Sequence, residues 1–217
     1  MTRDRSPAPQ PLVVLAAGRS ARMGRPKPLL RWEGASFLEH ACAAAHRGGA
    51  APVLVVAEDP GWLRERAGAV GDVLWVGCPT AARGQSESLR AGLSAALRAA
   101  PSAAAVLVGL VDQVGMRAEA VRALLEAVAR GGFDAWASGY GGSGGIPSHP
   151  VALGPSTWPL VARLKGDVGA RAILHGLGAR LAWVELPELW RPLDCDTPED
   201  YRRALVGNAR VGGGEGQ

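Results

Sequence analysis

The sequence predicts an α/β domain in which a mostly parallel, doubly wound sheet lies between two layers of helices, a three-layer Rossmann-like fold. Short apolar runs, continuous and rich in β-branched residues, alternate along the chain with segments of helical spacing. Such alternation is typical of βαβ units around a parallel sheet. Of the 217 residues, 47% are hydrophobic and 20% are charged, which is enough apolar side chain to fill a core.

The elements of the first half follow one another without a linker that would divide the chain. The predicted buried strands are Leu12–Ala16, Val53–Ala57, Val73–Val76 and Ala104–Leu110. The predicted helices are Ser36–Arg47, Gly61–Ala67, Gln85–Ala99 and Arg117–Arg130. We therefore expect one domain over residues 11–206, with flexible tails at residues 1–10 and 207–217.

The second half is less regular, and its best boundary is the start of the last helix. There Thr197 is the expected N-cap, Pro198 takes the first helical position and Asp200 completes a capping box. The Gly139–Gly144 segment matches G-x-G-x-x-G, but no helix follows it, so we interpret the match as coincidence. The remaining expected elements are strands at 134–138, 149–153 and 181–186 and helices at 156–164 and 168–174.

Composition and charge exclude several classes of protein. The net charge of +4 comes from dispersed arginines, without the run of like charges that marks a nucleic-acid-binding tail. The three cysteines lie far apart, so neither a zinc site nor a disulfide framework is indicated. The longest apolar stretch, Ala103–Val111, is too short to cross a bilayer, and residues 1–11 lack a secretory apolar region. We expect a cytoplasmic protein with neither nucleic-acid nor membrane partners.

The loop after the first strand, Ala16 to Lys27, has the features of a phosphate-binding loop. Ala17 and Gly18 are small enough to let an anion approach the backbone, and ligands bind where parallel strands end. The loop matches neither the Walker nor the dinucleotide pattern, so an ordinary basic turn is the alternative. Its cationic side chains are those of Arg19, Arg22, Arg25 and Lys27.

Carboxylates follow two other predicted strand ends. Asp112 comes after the apolar strand that ends at Leu110, where a metal ion would be a suitable partner for it. Helix capping is the weaker explanation, because Gly115 and Met116 separate Asp112 from the next helix. Asp194 and Asp196 point to one face of an extended segment, although Asp196 could also serve the positive end of the following helix.

The loop sequence GRSARMGRPKPLL resembles the signature G-x-S-x-R-M-G-x-x-K-x-L-L of the MobA-like nucleotidyltransferases, and within them it is most similar to the molybdenum cofactor cytidylyltransferases. The likeness continues in order through most of residues 12–205. The further matching segments are GQSESLRAGL (Gly84–Leu93), GLVDQ (Gly109–Gln113), HPV (His149–Val151), LKGDVGAR (Leu164–Arg171) and LDCDTPEDY (Leu193–Tyr201).

The resemblance implies a nucleotide-diphospho-sugar transferase type of fold and transfer of a nucleotidyl group with release of pyrophosphate. It implies Mg²⁺ held by Asp112 and Asp196, the latter favoured over Asp194. Arg22 and Lys27 would hold the leaving phosphates, so that Arg22, Lys27 and Asp112 are the catalytic set. The implied nucleotide-binding residues are Ala16, Ala17, Gly18, Arg19, Ser20, Arg22, Gly24, Lys27, Gly84 and Ser88.

The resemblance also implies the substrates. CTP is favoured, since Ala16-Ala17-Gly18 resembles the cytidylyl form of the loop and the Cβ of Ala17 would crowd a purine. The implied acceptor is molybdopterin, and a molybdenum hydroxylase apoprotein would receive the product. Near the acceptor the resemblance places His149 and Asp167. A buried structural histidine and a cap on the helix predicted at Val168 are the respective alternatives.

Other functions remain open at this point. A sister nucleotidyltransferase acting on a sugar phosphate or a methylerythritol phosphate would use the same loop and metal site. Some relatives carry an oxidoreductase label, which is a second alternative. A non-catalytic binding module is a third, but it would have no need to keep both the cationic pair Arg22 and Lys27 and the acidic pair Asp112 and Asp196.

Overall fold

A computed structural model describes residues 8–18, 20, 22–142 and 147–209. In chain order the strands are β1 (Leu12–Leu15), β2 (Arg31–Trp32), β3 (Ala35–Ser36), β4 (Val53–Ala57), β5 (Val73–Gly77), β6 (Val106–Leu110), β7 (Gln113–Val114), β8 (Ala135–Tyr140), β9 (Ser148–Leu153), β10 (Leu181–Leu186) and β11 (Leu193–Asp194). The α-helices are α1 (Phe37–Gly48), α2 (Pro60–Arg66), α3 (Gln85–Ala99), α4 (Ala118–Arg130), α5 (Trp158–Arg163), α6 (Ala170–His175) and α7 (Pro198–Ala209).

Seven of these strands form the central sheet, in the order β10-β8-β9-β6-β1-β4-β5. Strand β1 pairs in parallel with both β4 and β6. The edge strands are also parallel to their neighbours, β5 to β4 and β10 to β8. Strand β9 alone among the seven is antiparallel, to β6 on one side and to β8 on the other. The predicted mostly parallel sheet is therefore confirmed.

The sheet is covered by helices on both faces, as a three-layer fold requires. Along β1, Leu12 and Val14 belong to one buried cluster and Val13 and Leu15 to another, because successive side chains of a strand point to opposite faces. Helices α1, α2 and α4 contribute Phe37, Leu63 and Leu124 to the first cluster, and helices α3, α5 and α6 contribute Leu89, Val161 and Ile173 to the second. Both faces of β1 are buried, which explains its continuous apolar sequence.

The predicted start of the last helix is confirmed. The Asp200 N–H donates to Thr197 Oγ1 at 3.2 Å, and the Thr197 N–H donates to Asp200 Oδ2 at 2.9 Å. Each residue thus satisfies an amide of the other, which is the capping box. Helix α7 continues to Ala209, three residues beyond the limit of the domain expected at residue 206.

Three local expectations need correction. The helix expected from Val168 begins at Ala170 with Gly169 as its N-cap, so Asp167 does not cap it. The helix expected over 156–164 is a 3₁₀ turn followed by α5. Gln10, expected in the flexible N-terminal tail, is fixed to the sheet: its carbonyl accepts from the Ala51 N–H at 3.0 Å, and its Oε1 accepts from the Ala105 N–H at 2.8 Å.

Two short antiparallel ladders carry no sequence signal of their own. Strands β2 and β3 form one, and β7 and β11 form the other. The β7–β11 ladder lies directly after β6 and brings a segment near the end of the domain back to the central sheet. No helix in the described part of the chain combines the length and the apolar character needed to span a bilayer.

Candidate active site

A cleft of about 620 Å³ opens at the carboxyl ends of β1 and β6. Its walls come from the loop after β1, the start of α3, the turn after β6 and the segments that precede α6 and α7. The sheet edge where sequence reasoning placed the ligand is thus the edge that carries the cleft. The predicted site residues that line it are Ala17, Gly18, Ser20, Arg22, Lys27, Gly84, Ser88, Asp112, Asp167 and Asp196.

Four side chains of opposite charge meet in this cleft. Lys27 Nζ donates to Asp112 Oδ2 at 2.8 Å and to Asp196 Oδ1 at 2.7 Å. An Arg22 Nη donates to the second oxygen of Asp196 at 2.9 Å. The Lys27 side chain is only 12% exposed, whereas that of Arg22 is 69% exposed. The two predicted metal ligands therefore converge, and an ammonium group lies where we expected a shared metal cation.

The backbone explains why two residues 84 positions apart in the sequence meet here. Strands β7 and β11 pair so that Leu193 lies opposite Val114 and Asp194 lies opposite Gln113. The Cys195 N–H then donates to the carbonyl oxygen of Asp112 at 2.9 Å. This ladder holds the turn after β6 beside the segment before α7, and it carries both carboxylates to the same side of the cleft.

The cluster favours the charged forms of its members. Burial lowers the pKa of Lys27, but hydrogen bonds and charge from Asp112 and Asp196 outweigh it, and the pKa is raised above 10.5. The hydrogen bond from Lys27 is the main cause of the lowered pKa of Asp196, and the charge of Arg22 adds to the effect. At neutral pH, Lys27 and Asp196 are therefore both ionised.

The loop after β1 is shaped by Ser20 and Gly24. Ser20 has a φ of +50°, and its Oγ accepts from the Lys27 N–H at 3.0 Å. The Ser20 carbonyl accepts from the N–H groups of Met23 and Gly24, and Met23 is buried against the core. Gly18 stays exposed, and a Cβ built on it would meet nothing within 4 Å. The loop is thus anchored at its far end and leaves the Gly18 backbone open to a ligand.

The opposite wall is the start of α3. Gly84 has a φ of +126°, and a Cβ there would lie 2.1 Å from the Gly166 carbonyl carbon, so only glycine fits. The Asp167 carboxylate reaches this wall, where its Oδ1 accepts from the Gln85 N–H at 3.4 Å. Ser88 is buried within α3, one turn further along the helix. Asp167 therefore serves the first turn of α3 and lies in the cleft, instead of capping the helix that follows it.

His149 is placed differently from the other predicted residues. It lies in β9 and does not line the cleft, and burial is the main cause of a pKa lowered to about 4. Its backbone N–H donates to Gln113 Oε1 at 3.3 Å, and its Nδ1 has no hydrogen-bond partner among the described residues. The imidazole is therefore neutral at physiological pH, and it is buried outside the lining of the cleft.

A second cavity of about 440 Å³ lies on the other side of the same loop. It shares Ala17, Gly18 and Ser20 with the cleft, and the predicted residues Ala16 and Gly24 line it instead of the cleft. The floor is apolar, and the ring of Trp62, 40% exposed, forms part of its wall. The predicted nucleotide-binding residue Arg19 lies outside the described residues.

Sequence reasoning missed Arg83, which lines the cleft just before Gly84. No motif marked it, and its position beside the matched GQSESL segment was the available signal. Among the described lining residues the formal charges cancel. The cations are Arg22, Lys27 and Arg83, and the acids are Asp112, Asp167 and Asp196. The described walls thus offer a highly charged anion no net positive charge, which favours binding together with an additional cation.

The donor set suits a hard divalent cation. Carboxylate oxygens are the ligands that Mg²⁺ and Mn²⁺ prefer, and Mg²⁺ commonly uses one or two of them together with phosphate oxygens. In the described part of the chain, no group of three or more histidine, cysteine, aspartate or glutamate side chains is arranged to hold a metal alone. Asp112 and Asp196 therefore fit a cation that arrives with a phosphate ligand better than a permanently bound metal.

The family described as "MobA-like NTP transferase domain" matches residues 12–183. Rv0371c from Mycobacterium tuberculosis H37Rv is 27% identical, with a TM-score of 0.73 over 91% of this chain and 98% of that one. Rv0371c in complex with manganese is 26% identical, with a TM-score of 0.72 over the same shares. A nucleotidyl transferase of Methanothermobacter (Mth528) has a TM-score of 0.74 at 23% identity, over 93% of this chain and 98% of that one. No curated protein matches the chain significantly.

Proposed function

The chain belongs to the MobA-like NTP transferase domain family of nucleotidyltransferases, and from this premise we propose that it transfers CMP from CTP to the phosphate group of a molybdopterin-type acceptor. The observation that carries the proposal is the meeting of Asp112, Asp196 and Lys27 beside the exposed Gly18 backbone. Backbone amides and cations for phosphates come from the loop after β1, and the carboxylates for a metal come from the segments after β6 and before α7.

Asp112 and Asp196 would hold Mg²⁺ when the nucleotide is bound. Their oxygens are suitable ligands, and the related Rv0371c has been solved in complex with manganese. The cancelling charges of the cleft also support a divalent cation, because a triphosphate would otherwise be bound without net attraction. Bound there, the metal would neutralise charge on the reacting phosphate oxygens.

Lys27 and Arg22 would change partners as the nucleotide enters. Both side chains are engaged by carboxylates in the nucleotide-free protein, and each can exchange a carboxylate oxygen for a phosphate oxygen. Arg22 is largely exposed and free to swing, while Lys27 is fixed at its backbone by Ser20 Oγ. The same ammonium that holds the acids together would thus come to hold the leaving β- and γ-phosphates.

The reaction needs positioning and charge neutralisation, with no covalent nucleophile from the protein. An oxygen of the acceptor phosphate forms a bond to the α-phosphorus. The bond from that phosphorus to the bridging oxygen breaks in line, and pyrophosphate leaves with the electron pair. The Gly18 amide side of the loop would contact the phosphates, and Gly84 and Ser88 on the opposite wall would contact the nucleoside.

CTP and the molybdopterin-type acceptor are the finer parts of the proposal. Ala17 lines the cleft where a base would lie near the loop, and its Cβ leaves less room for a purine than glycine would. Asp167 lines the cleft near the start of α3 and is available to the acceptor. The cytosine dinucleotide product would then pass to a molybdenum hydroxylase apoprotein.

Pyrophosphate release, measured with each triphosphate, Mg²⁺ or Mn²⁺ and a panel of acceptors, tests the proposal. We expect CTP with molybdopterin to give the fastest release, and omission of the metal to abolish it. Glu58→Gln is the matched control, because it removes an exposed carboxylate from the neighbouring cavity and should leave the rate unchanged. Faster release with GTP would overturn the assignment of the base, and release only with a sugar phosphate would overturn that of the acceptor.

A further inference from the structure

Gln113, on β7, connects to β9 and β11 and is itself almost fully buried, with 6% of its surface exposed. Its Nε2 donates to Asp194 Oδ1 at 2.9 Å, and its Oε1 accepts from the His149 N–H at 3.3 Å. Both ends of the amide are therefore used, one toward β11 and one toward β9. Gln113 also directly follows Asp112 in the chain, so a shift of either neighbour would reach the acidic pair.

The elements that Gln113 joins are weakly held without it. The β7–β11 ladder is two residues long on each strand, and a ladder of that length is marginal by itself. The registered pairing between β6 and β9 ends at Val108 and Val151. Beyond that point the Gln113 side chain supplies the hydrogen-bond acceptor for β9, because its Oε1, and not a backbone carbonyl, accepts from the His149 N–H.

We propose that Gln113 is a positioning residue that sets the separation of Asp112 and Asp196 by holding β11 against β7. The inference rests on the proposed function, in which these carboxylates share a cation. Asp194, two residues before Asp196, then has a defined role as the residue on β11 that accepts the hydrogen bond from the Gln113 amide. His149 gains a role through its backbone, as the anchor on β9.

The need for an anchor is greatest when Lys27 turns toward phosphate. Asp112 and Asp196 then lose the ammonium that bridges them, and the two carboxylates repel each other until the divalent cation takes its place. The Asp194 carboxylate on β11 adds a third negative charge, two residues before Asp196. An amide donor toward Asp194 holds that strand in place without adding a charge, which neither a glutamate nor an apolar side chain at position 113 would do.

A charge exchange tests this role. Gln113→Glu keeps the size and the acceptor toward His149, but it sets a carboxylate against Asp194. Adding Asp194→Asn restores the hydrogen bond in the opposite direction, because the amide introduced at position 194 donates to the carboxylate introduced at position 113. We expect Gln113→Glu to weaken Mn²⁺ binding in the presence of CTP at least tenfold. The double variant should return to within about threefold of the original affinity, as measured by calorimetry and electron paramagnetic resonance.

Ser138→Ala is the control for general destabilisation. It removes a buried hydrogen bond to the Pro150 carbonyl, 2.7 Å in length, and so also perturbs β9, but it leaves the amide of Gln113 intact. It should lower the melting temperature without changing the affinity for Mn²⁺. If Gln113→Glu behaved in the same way, or if the double variant did not recover, Gln113 would be an ordinary core residue.

A second measurement separates this inference from the proposed function. Hydrogen exchange at the Cys195 amide reports the contact between β11 and the Asp112 carbonyl without any ligand. We expect faster exchange in Gln113→Glu and recovery in the double variant. Unchanged exchange would overturn the positioning role. The exchange could instead change as expected while the original protein fails to bind Mn²⁺ in the presence of CTP. That result would overturn the proposed function but support the contact between Gln113 and Asp194.

Discussion

Two cavities share one loop in this protein, and they differ in what their walls offer a ligand. The cleft of about 620 Å³ is lined by a lysine that bridges two carboxylates, whereas the neighbouring cavity of about 440 Å³ is lined largely by apolar groups around Trp62. Ala17 and Gly18 belong to both. The loop is therefore a partition between a charged site and an apolar one.

The ion-paired cluster of Lys27, Asp112 and Asp196 distinguishes the side of the loop that we propose to be reactive. In the charged cleft, Lys27 pairs with carboxylates from two distant segments, Asp112 and Asp196. The fold must hold these two carboxylates close together against their mutual repulsion. The apolar cavity has acidic residues too, but Asp59 there is explained by its bond to the Trp62 N–H at the start of α2. Concave shape alone would not have distinguished the charged cleft from the apolar cavity.

The largest effect should come from the carboxylates of the charged cleft. Asp112→Asn and Asp196→Asn should each lower the rate of pyrophosphate release by about 10²–10³-fold, the usual cost of losing one group that stabilises transition-state charge. The double variant should be little worse than either single one, because the pair acts as a unit on one cation. Steady-state assays at saturating Mg²⁺ would measure the losses.

The contrasting change on the apolar side is Glu58→Gln, which should keep kcat and KM within twofold of the original values. Losses that multiply in the double Asp variant would indicate that Asp112 and Asp196 act on different groups. The two-carboxylate site would then have to be abandoned, although the cleft would remain the proposed site of reaction.

Lys27→Met should have the next largest effect, and its sign should depend on the ligand. Triphosphate binding should weaken by about 1.5–3 kcal/mol, the worth of a hydrogen bond to a charged group. Binding of Mn²⁺ alone should become tighter, because the ammonium no longer competes for Asp112 and Asp196. Calorimetry with each ligand separately measures both changes. Weaker Mn²⁺ binding in this variant would contradict the exchange of partners that we propose for Lys27.

The charged cleft should also give a pH-dependent difference in stability. The lowered pKa of Asp196 means that its contribution is fully present above its ordinary pKa of 3.8 and is lost as pH falls through the lowered value. The raised pKa of Lys27 means that its contribution is present below 10.5 and is lost as pH rises through the raised value. Between those limits, Lys27→Met should melt about 1–3 °C below the original protein, the size expected of a partly exposed pair.

Melting curves of the nucleotide-free proteins across this pH range check the sign. The difference between the two proteins should shrink at both extremes and be widest near neutrality. A difference that grew toward acid pH would mean that Asp196 is not stabilised by Lys27. The same series on an apolar-side variant should show no such dependence.

Much of the fold could be predicted from the sequence, because its strands are continuous apolar runs. The expected strands Val53–Ala57 and Leu181–Leu186 and the helix Gln85–Ala99 agree with the structure residue by residue. The two-residue ladders could not be predicted, since no periodicity can be read over two residues. The alternative role of Asp167, as a cap on the helix that follows it, was wrong because a local cap is the nearest explanation in sequence, whereas its partner, Gln85, is 82 positions away.

The candidate site was predicted in outline only. The convergence of Asp112 and Asp196 followed from the idea of a shared cation, and the structure places them together. That Lys27 would be the cation between them could not be read from the sequence, because it depends on the depth at which the loop packs. Gln113 was marked only as the last residue of the matching GLVDQ segment, and its contacts with Asp194 and His149 exist only in the folded chain.

The smallest expected effect is on the apolar side of the loop. Trp62→Ala removes an exposed ring that makes a cation–π contact with Arg66, whose guanidinium carbon lies 4.9 Å from the ring centroid. Such contacts contribute about 0.5–1 kcal/mol at exposed sites, so the melting temperature should fall slightly. The value of kcat/KM for pyrophosphate release should stay within about twofold, because Trp62 does not line the cleft in which Lys27, Asp112 and Asp196 meet. A tenfold rise in KM for CTP at unchanged kcat would show that the ring receives the base. The partition would then divide nucleoside from phosphates, and the apolar cavity would be half of the active site.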